Sequence, residues 1–468
     1  MKFPMWMTLI AAVGAAVVVF ALGSAFLRPD RPLVAEARFD LETITPNADG
    51  VDDITIFRYT LTRGALVSIR FVGPDGQTYT FREQQPRIAG DYQVPFSGVV
   101  DGFVNPDEAI ANRVERRLLP SGAYRWVLEA TGDDGQTQAV EGVLNISEAN
   151  SPLPIISSFS VGPQVFTPNQ DGIDDRVEIL VYLEQPADLR VFLRDEAGRE
   201  IPVSARKEGR KPGEAGRHVF DYEGGVDLGS DPPPDGTYAV LAVAQDAEGQ
   251  RVVAEASLTI QNGGKPMAEI APQSVGVDVV FTTMPYDPAY YSSLNRLGER
   301  IEPPANPADL SRNAITMPLG EMLVFRLTVE NYNDVPIRTT YPPPGTVYDQ
   351  TQMAASLGAY DSPGAWRVGI QCETSTVSFP YRWALGDEST LMAIPDPKDG
   401  TVHYYVPPRT QVVVWGAIRM TRIEKRQNPQ TCWAGLIQED VEVSLRNSYV
   451  GARDIELVDP DAIQGEGG

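Results

Sequence analysis

The chain has 468 residues, enough for three or four domains of ordinary size. Hydrophobic residues make up 42% and charged residues 22%, as in folded soluble proteins, and 41 glycines with 39 prolines favour short strands joined by turns over long helices. A net charge of −24 would repel nucleic-acid phosphates, and two histidines with two cysteines leave little for a zinc site, an iron–sulfur cluster or a Cys/His protease.

Residues 5–27 carry no charge and are dominated by Ala, Val, Leu, Ile, Phe and Met. As a helix at about 1.5 Å per residue they would reach roughly 35 Å, enough to cross a hydrocarbon core of about 30 Å. This predicts a transmembrane anchor, with residues 1–34 forming a cytoplasmic stub, the anchor and a juxtamembrane linker. The alternative is a cleaved signal peptide, with Gly23 and Ala25 as small residues before the cut. Signal-peptide apolar regions are usually shorter, about 7–15 residues. The flanking charges, Lys2 on one side and Arg28 and Arg31 on the other, orient the segment poorly.

An internal repeat follows. Residues 45–53 read Thr-Pro-Asn-Ala-Asp-Gly-Val-Asp-Asp and residues 167–175 read Thr-Pro-Asn-Gln-Asp-Gly-Ile-Asp-Asp, identical at seven of nine positions. Behind each loop runs an alternating strand, 54–61 in the first copy and 177–183 in the second. A second strand then ends in a turn: Val67, Ile69 and Phe71 precede Pro74-Asp-Gly76, and Leu189, Val191 and Leu193 precede Asp195-Glu-Ala-Gly198. Near the end of each copy Pro120-Ser-Gly-Ala-Tyr124 and Pro234-Asp-Gly-Thr-Tyr238 lead into a third strand. Period-two alternation between closely spaced turn signals predicts antiparallel β-sandwiches over 35–150 and 151–262.

The loop, strand, Gly turn and Gly-x-Tyr strand resemble the Ig-like domains of bacterial flagellar hook-capping proteins and the related modules of gliding-motility surface proteins. The resemblance covers about residues 38–262 and implies tandem Ig-like modules that are extracytoplasmic and structural or adhesive, not catalytic. The Trp-Asp-Gly that many members carry is represented only by Phe96-Ser-Gly98 and Phe220-Asp-Tyr-Glu-Gly224.

Residues 263–274, rich in Gly, Pro and polar residues, read as a linker. Beyond it, strand patterns at 275–281, 321–330, 411–414 and 441–445, with a Pro-rich loop at 285–318, predict a larger β-sandwich over 263–458. In the third region the stretch 323–349 resembles a family of bacterial intracellular proteinase inhibitors, which bears on fold alone. Residues 459–468 read as a disordered acidic tail. Both cysteines, Cys372 and Cys432, fall in this region. Outside the cytoplasm such a pair forms a disulfide; the alternative is two buried thiols in a cytosolic protein.

The repeated loops concentrate the chemistry. Asn47, Asp49, Asp52 and Asp53 in the first, and Asn169, Asp171, Asp174 and Asp175 in the second, offer oxygen ligands around a glycine turn, as Ca²⁺ requires. The competing reading is a stack of Asx-turns whose side chains accept loop N–H groups. Neither loop has the twelfth-position Glu of an EF-hand. His218 and His403 read as sheet residues, and no Gly-x-Ser-x-Gly, His-Glu-x-x-His or P-loop pattern occurs. The cluster Tyr286, Tyr290 and Tyr291 suits stacking on a sugar or partner, or covering the base of its own loop.

The expected protein is therefore mainly β, a transmembrane helix followed by tandem Ig-like sandwiches, single-pass in the cell membrane with its bulk outside, or secreted if the segment is cleaved. Its expected role is structural or adhesive, with no enzymatic activity and no nucleic-acid partner. The rival is a binding protein whose third region captures a polysaccharide or peptide, with a cell-envelope protein or polysaccharide as partner.

Overall fold

A computed structural model describes residues 10, 12–19, 32–105, 108–204, 211, 213–273, 276–291, 300–305, 314–396 and 398–460. Strands dominate it. Besides the helical residues 10, 12–19 and 460, the described helical elements are three short 3₁₀ turns, Val226–Leu228, Ala354–Leu357 and Lys425–Gln427.

The expectation of a transmembrane helix is corrected here. Among the described residues no helix is long and apolar enough to cross a membrane. Within the 5–27 segment, residues 10 and 12–19 are described and are helical. The rest of the 5–27 segment lies outside the described residues, as do 461–468 of the predicted tail. Single-pass anchoring loses its support with the helix.

The chain divides into two compact units, one of residues 1–160, 179–220 and 239–256, the other of residues 161–178, 221–238 and 257–468. In the first unit, strands Val34–Phe39, Thr55–Leu61 and Gly90–Phe96 form one sheet. Strands Thr43–Ile44, Thr137–Ile146, Gly122–Gly132, Ala65–Val72 and Thr78–Arg87 form the other, in that order. Alternation decides which side chains face inward: Phe57, Tyr59 and Leu61 from the first sheet meet Val67, Ile69, Phe71, Trp126 and Leu128 from the second in one buried cluster. Phe71 stacks on Phe96 at 4.6 Å between ring centroids, and Trp126 meets Phe57 edge-on at 5.1 Å. Trp126 lies opposite Gly142, where a Cβ would come within 2.4 Å of the indole, so the cross-strand partner has to be glycine.

The Pro-x-Gly-x-Tyr segments owe their spacing to a hydrogen bond. Tyr124 Oη donates to the Pro120 carbonyl at 2.8 Å, and Tyr238 Oη to the Pro234 carbonyl at 2.7 Å. Each tyrosine thus buries its ring and satisfies its hydroxyl on the turn that precedes its own strand.

Strands Asp188–Arg194 and Gly236–Gln245 pair in the second repeat, with Glu200–Val203 on the outer edge of the first and Arg251–Ile260 beside the second. The sheet continues beyond the predicted boundary at residue 150. Arg251–Ile260 also pairs with Arg113–Leu118, which pairs with Val99–Asp101. Buried Gln250 reinforces this seam by accepting the Leu118 N–H at 3.2 Å and donating to Asp246 at 2.8 Å.

The third region is a second kind of sandwich. Ala268–Ala271 and Val279–Met284 both pair with Met322–Asn331, which continues to Gln411–Arg419 and Val347–Asp349. The facing sheet runs through Ile315–Pro318, Val450–Val458, Gln430–Gln438, Trp366–Cys372, Ile337–Thr339, Val402–Val406 and Met392–Pro395. Leu323, Phe325, Leu327 and Val329 are all buried, as their alternation predicts. Cys372 and Cys432 stand opposite each other on paired strands and form a disulfide. The supposed linker contains the paired strand Ala268–Ala271. The pattern at 441–445 yields only Glu442–Val443, because Leu445 is 92% exposed and has no core to enter.

Candidate functional site

Both acidic loops fold alike, and backbone amides hold the carboxylates of Asp49 and Asp53 in the first and of Asp171 and Asp175 in the second. In the first, Asp53 Oδ1 accepts the N–H of Asn47 at 3.0 Å and of Ala48 at 2.9 Å, and Oδ2 accepts that of Gly50 at 2.7 Å. Asn47 Oδ1 accepts the Asp49 N–H and Asp49 Oδ1 the Val51 N–H, at 3.0 and 2.8 Å. Thr45 closes the loop through its own N–H to the Asp52 carbonyl at 2.9 Å. Ala48, Gly50 and Asp52 all take positive φ, matched in the second loop by Gln170, Gly172 and Asp174. There Asp175 accepts N–H groups from Asn169, Asp171 and Gly172, Asn169 accepts Asp171, and Asp171 accepts Ile173. This is the Asx-turn stack of the sequence reading. Among the described residues no group of three or more His, Cys, Asp or Glu is arranged to hold a metal ion.

The surroundings differ. The first loop is exposed at its tip, whereas Asn169 and Asp171 are 3% and 5% exposed. The second loop is seated in the third region: Tyr405 Oη donates to Asp171 Oδ2 at 3.1 Å, Gln438 Nε2 donates to the Gln170 carbonyl at 2.7 Å, and Lys398 pairs with Asp174. Two glycines make the approach close enough. A Cβ on Gly172 would lie 2.1 Å from the Pro363 carbonyl oxygen, and one on Gly364 would lie 2.3 Å from the Asp171 backbone. Arg338, itself 8% exposed, donates to that Pro363 carbonyl.

Seating changes the electrostatics. Burial pushes the Asp171 carboxyl above the usual carboxylate range, opposed by the Ile173 N–H and the nearby Arg338 charge. Burial, with the Asp171 charge beside it, pushes Asp175 up to about 6. Burial also raises the Tyr405 phenol, and the Asp171 carboxylate raises it further.

Beside this joint lies a cleft of about 470 Å³, to which Arg338, Tyr341, Tyr360 and Tyr404 contribute. Below it Arg367, 1% exposed, donates to Glu439 Oε1 at 2.8 Å and to the Tyr360 carbonyl at 3.0 Å, while Arg382 holds Glu439 Oε2 at 2.5 Å. The other singled-out residues have local roles. His218 Nε2 bonds the Glu214 carbonyl at 2.6 Å, His403 lies 3.8 Å from Asp396, and Tyr286 donates to the Tyr291 carbonyl with Arg419 over its ring.

Sequence reasoning missed Tyr405 and Gln438, whose loop partners lie 234 and 268 residues away in the chain, and Arg338, which bonds the Pro363 carbonyl against which the loop packs. Arg367 did carry a signal. It is the lone charged residue in Trp366–Cys372, a strand buried at every position but Gln371, where a cation needs a carboxylate partner.

No protein-family model matches the chain, and no curated relative matches it. Similar solved structures include native alpha-2-macroglobulin of E. coli, 10% identical with a TM-score of 0.18 over 92% of this chain and 23% of that one. A Ca²⁺-stabilised adhesin that helps an Antarctic bacterium reach out and bind ice is 10% identical, with a TM-score of 0.20 over 91% and 74%. SGBP-B of the Bacteroides ovatus mixed-linkage glucan utilization locus, solved with a mixed-linkage heptasaccharide, is 11% identical, with a TM-score of 0.15 over 89% and 66%. The chain spans less than a quarter of the macroglobulin and about two thirds of the glucan-locus protein. At these scores the likeness carries no functional argument.

Proposed function

We propose that this β-sandwich protein is extracytoplasmic and structural or adhesive, its repeats carrying the third region as a display domain. The observation behind this reading is the seating of the second acidic loop. A loop that is exposed in one repeat is, in the other, fastened to the third region by Tyr405, Gln438 and Lys398. That is the arrangement expected of a stalk whose last module must hold its cargo firmly. The disulfide supports an oxidising compartment, since paired cysteines persist there and are rare in the cytosol. The repeated loop and the Gly-x-Tyr corner support a likeness to the modules of surface proteins, and in this reading the chain binds a cell-envelope protein or polysaccharide and is not a catalyst.

Labelling intact cells with a membrane-impermeant biotin reagent tests the location, and attachment of cells lacking the protein tests the role. Labelled protein with oxidised cysteines, and weaker attachment on its loss, is the expected outcome. Protein confined to the cytosol with free thiols would end this reading.

A further inference from the structure

We propose that the cleft of the third region is a binding site for an uncharged saccharide chain. Its volume of about 470 Å³ lies in the range of small-molecule sites, roughly 300–1,000 Å³. Its walls carry three aromatic rings. Tyr341 and Tyr360 are 49% and 69% exposed and Tyr404 is half-buried. Aromatic faces left in water at a cleft mouth are apolar area awaiting a partner, and the C–H face of a pyranose ring is flat and apolar enough to cover one.

The polar lining narrows the class. Arg300, Arg338 and Arg367 bring cations, Asp361, Asp387 and Glu388 bring anions, and the site shows neither sign alone. An anionic chain would meet three carboxylates and a molecule of net charge −24; a cationic one would meet three arginines. A sugar hydroxyl both donates and accepts, so it pairs with carboxylate and guanidinium alike. Arg338 is nine-tenths buried, and its Nε has no hydrogen-bond partner among the described residues.

The wall is also held ready. Arg367 grips the Tyr360 carbonyl from below, and the Glu439 carboxylate between Arg367 and Arg382 locks Arg367 in turn. Backbone fixed beneath an aromatic side chain before the ligand arrives leaves less to be ordered on binding. The site extends the display reading by naming what the displayed region holds, yet the binding is a property of the purified chain wherever the protein resides.

The test is native electrophoresis of the full chain through gels containing galactomannan, xyloglucan or dextran, with polygalacturonate as the anionic arm and albumin as the non-binding reference. Retardation by at least one uncharged polymer is expected. For an oligosaccharide cut from that polymer, calorimetry should give a Kd raised at least tenfold by Tyr341→Ala with Tyr360→Ala. Those exposed substitutions should leave the melting temperature in place, and Tyr341→Phe with Tyr360→Phe, which keeps the rings, should retain binding. Unchanged migration in all three uncharged gels, retardation confined to polygalacturonate, or binding that survives the alanine pair would overturn the proposal. None of these results bears on where the protein resides, so the failure of the site and of the display reading are told apart.

Discussion

Gly50 and Gly172 occupy the same position in two nearly identical loops and take nearly the same φ, 89° and 84°. A side chain at either incurs the left-handed penalty of roughly 1–2 kcal/mol. Around Gly50 there is open space, but a Cβ on Gly172 meets a backbone carbonyl oxygen at 2.1 Å. Gly50→Ala is therefore expected to cost about 1 kcal/mol and Gly172→Ala about 1–3 kcal/mol more, because Pro363 is backbone and cannot turn aside. Paired denaturant unfolding curves check the difference; equal costs would mean that the second loop is not seated as described. Asp175 adds a pH dependence with a definite sign. Its carboxyl titrates near 6 in the fold against about 3.9 unfolded, so the folded state favours the protonated form. The stabilisation is fully present below about pH 4, is lost as pH rises through 6, and amounts to about 3 kcal/mol at most. Asp175→Asn should remove that share of the pH dependence, read as the difference between the two proteins' stabilities at pH 4.5 and 7.5.

Among the elements, the acidic loops set their carboxylates against N–H groups. Since both oxygens of Asp53 already accept backbone donors, melting in calcium, in magnesium and in chelator is expected at one temperature. A rise specific to calcium would give Asn47, Asp49 and Asp53 to the cation instead. The disulfide is a larger contributor. It closes a separation of 60 residues between adjacent strands, for which the chain-entropy model gives about 4 kcal/mol. Cys372→Ala with Cys432→Ala should lower stability by a few kcal/mol in the same unfolding measurement.

These elements also show what a sequence can and cannot disclose. The alternation of Leu323, Phe325, Leu327 and Val329 was legible because one buried face imposes a period of two on a strand. The loops were legible because their turns need Asn, Asp and Gly at fixed offsets. The seating of Asp171 on Tyr405 was not, since it depends on which distant strands come together. The apolar run at 5–27 misled for a related reason: composition states how well a segment would suit lipid, and does not state that it forms a spanning helix.

For the whole molecule, the sheet pairing bears on where the chain can be cut. Arg251–Ile260 has Arg113–Leu118 hydrogen-bonded along one side, and Arg113–Leu118 comes from a stretch that the repeat pattern assigns to the first module. A fragment of residues 151–262 keeps every motif of the second repeat yet loses that neighbour, exposing a row of unpaired N–H and C=O groups beside buried Val252 and Val253. It also strips Gln250 of its bond to Leu118. A fragment of residues 32–262 retains both. The shorter fragment is expected to melt at lower temperature and to self-associate, and the longer one to melt cooperatively at the higher temperature. Light scattering and calorimetry of the two decide the matter. Equal melting with a monomeric shorter fragment would make 151–262 an autonomous domain and reduce the strand Arg113–Leu118 to an ornament on its edge.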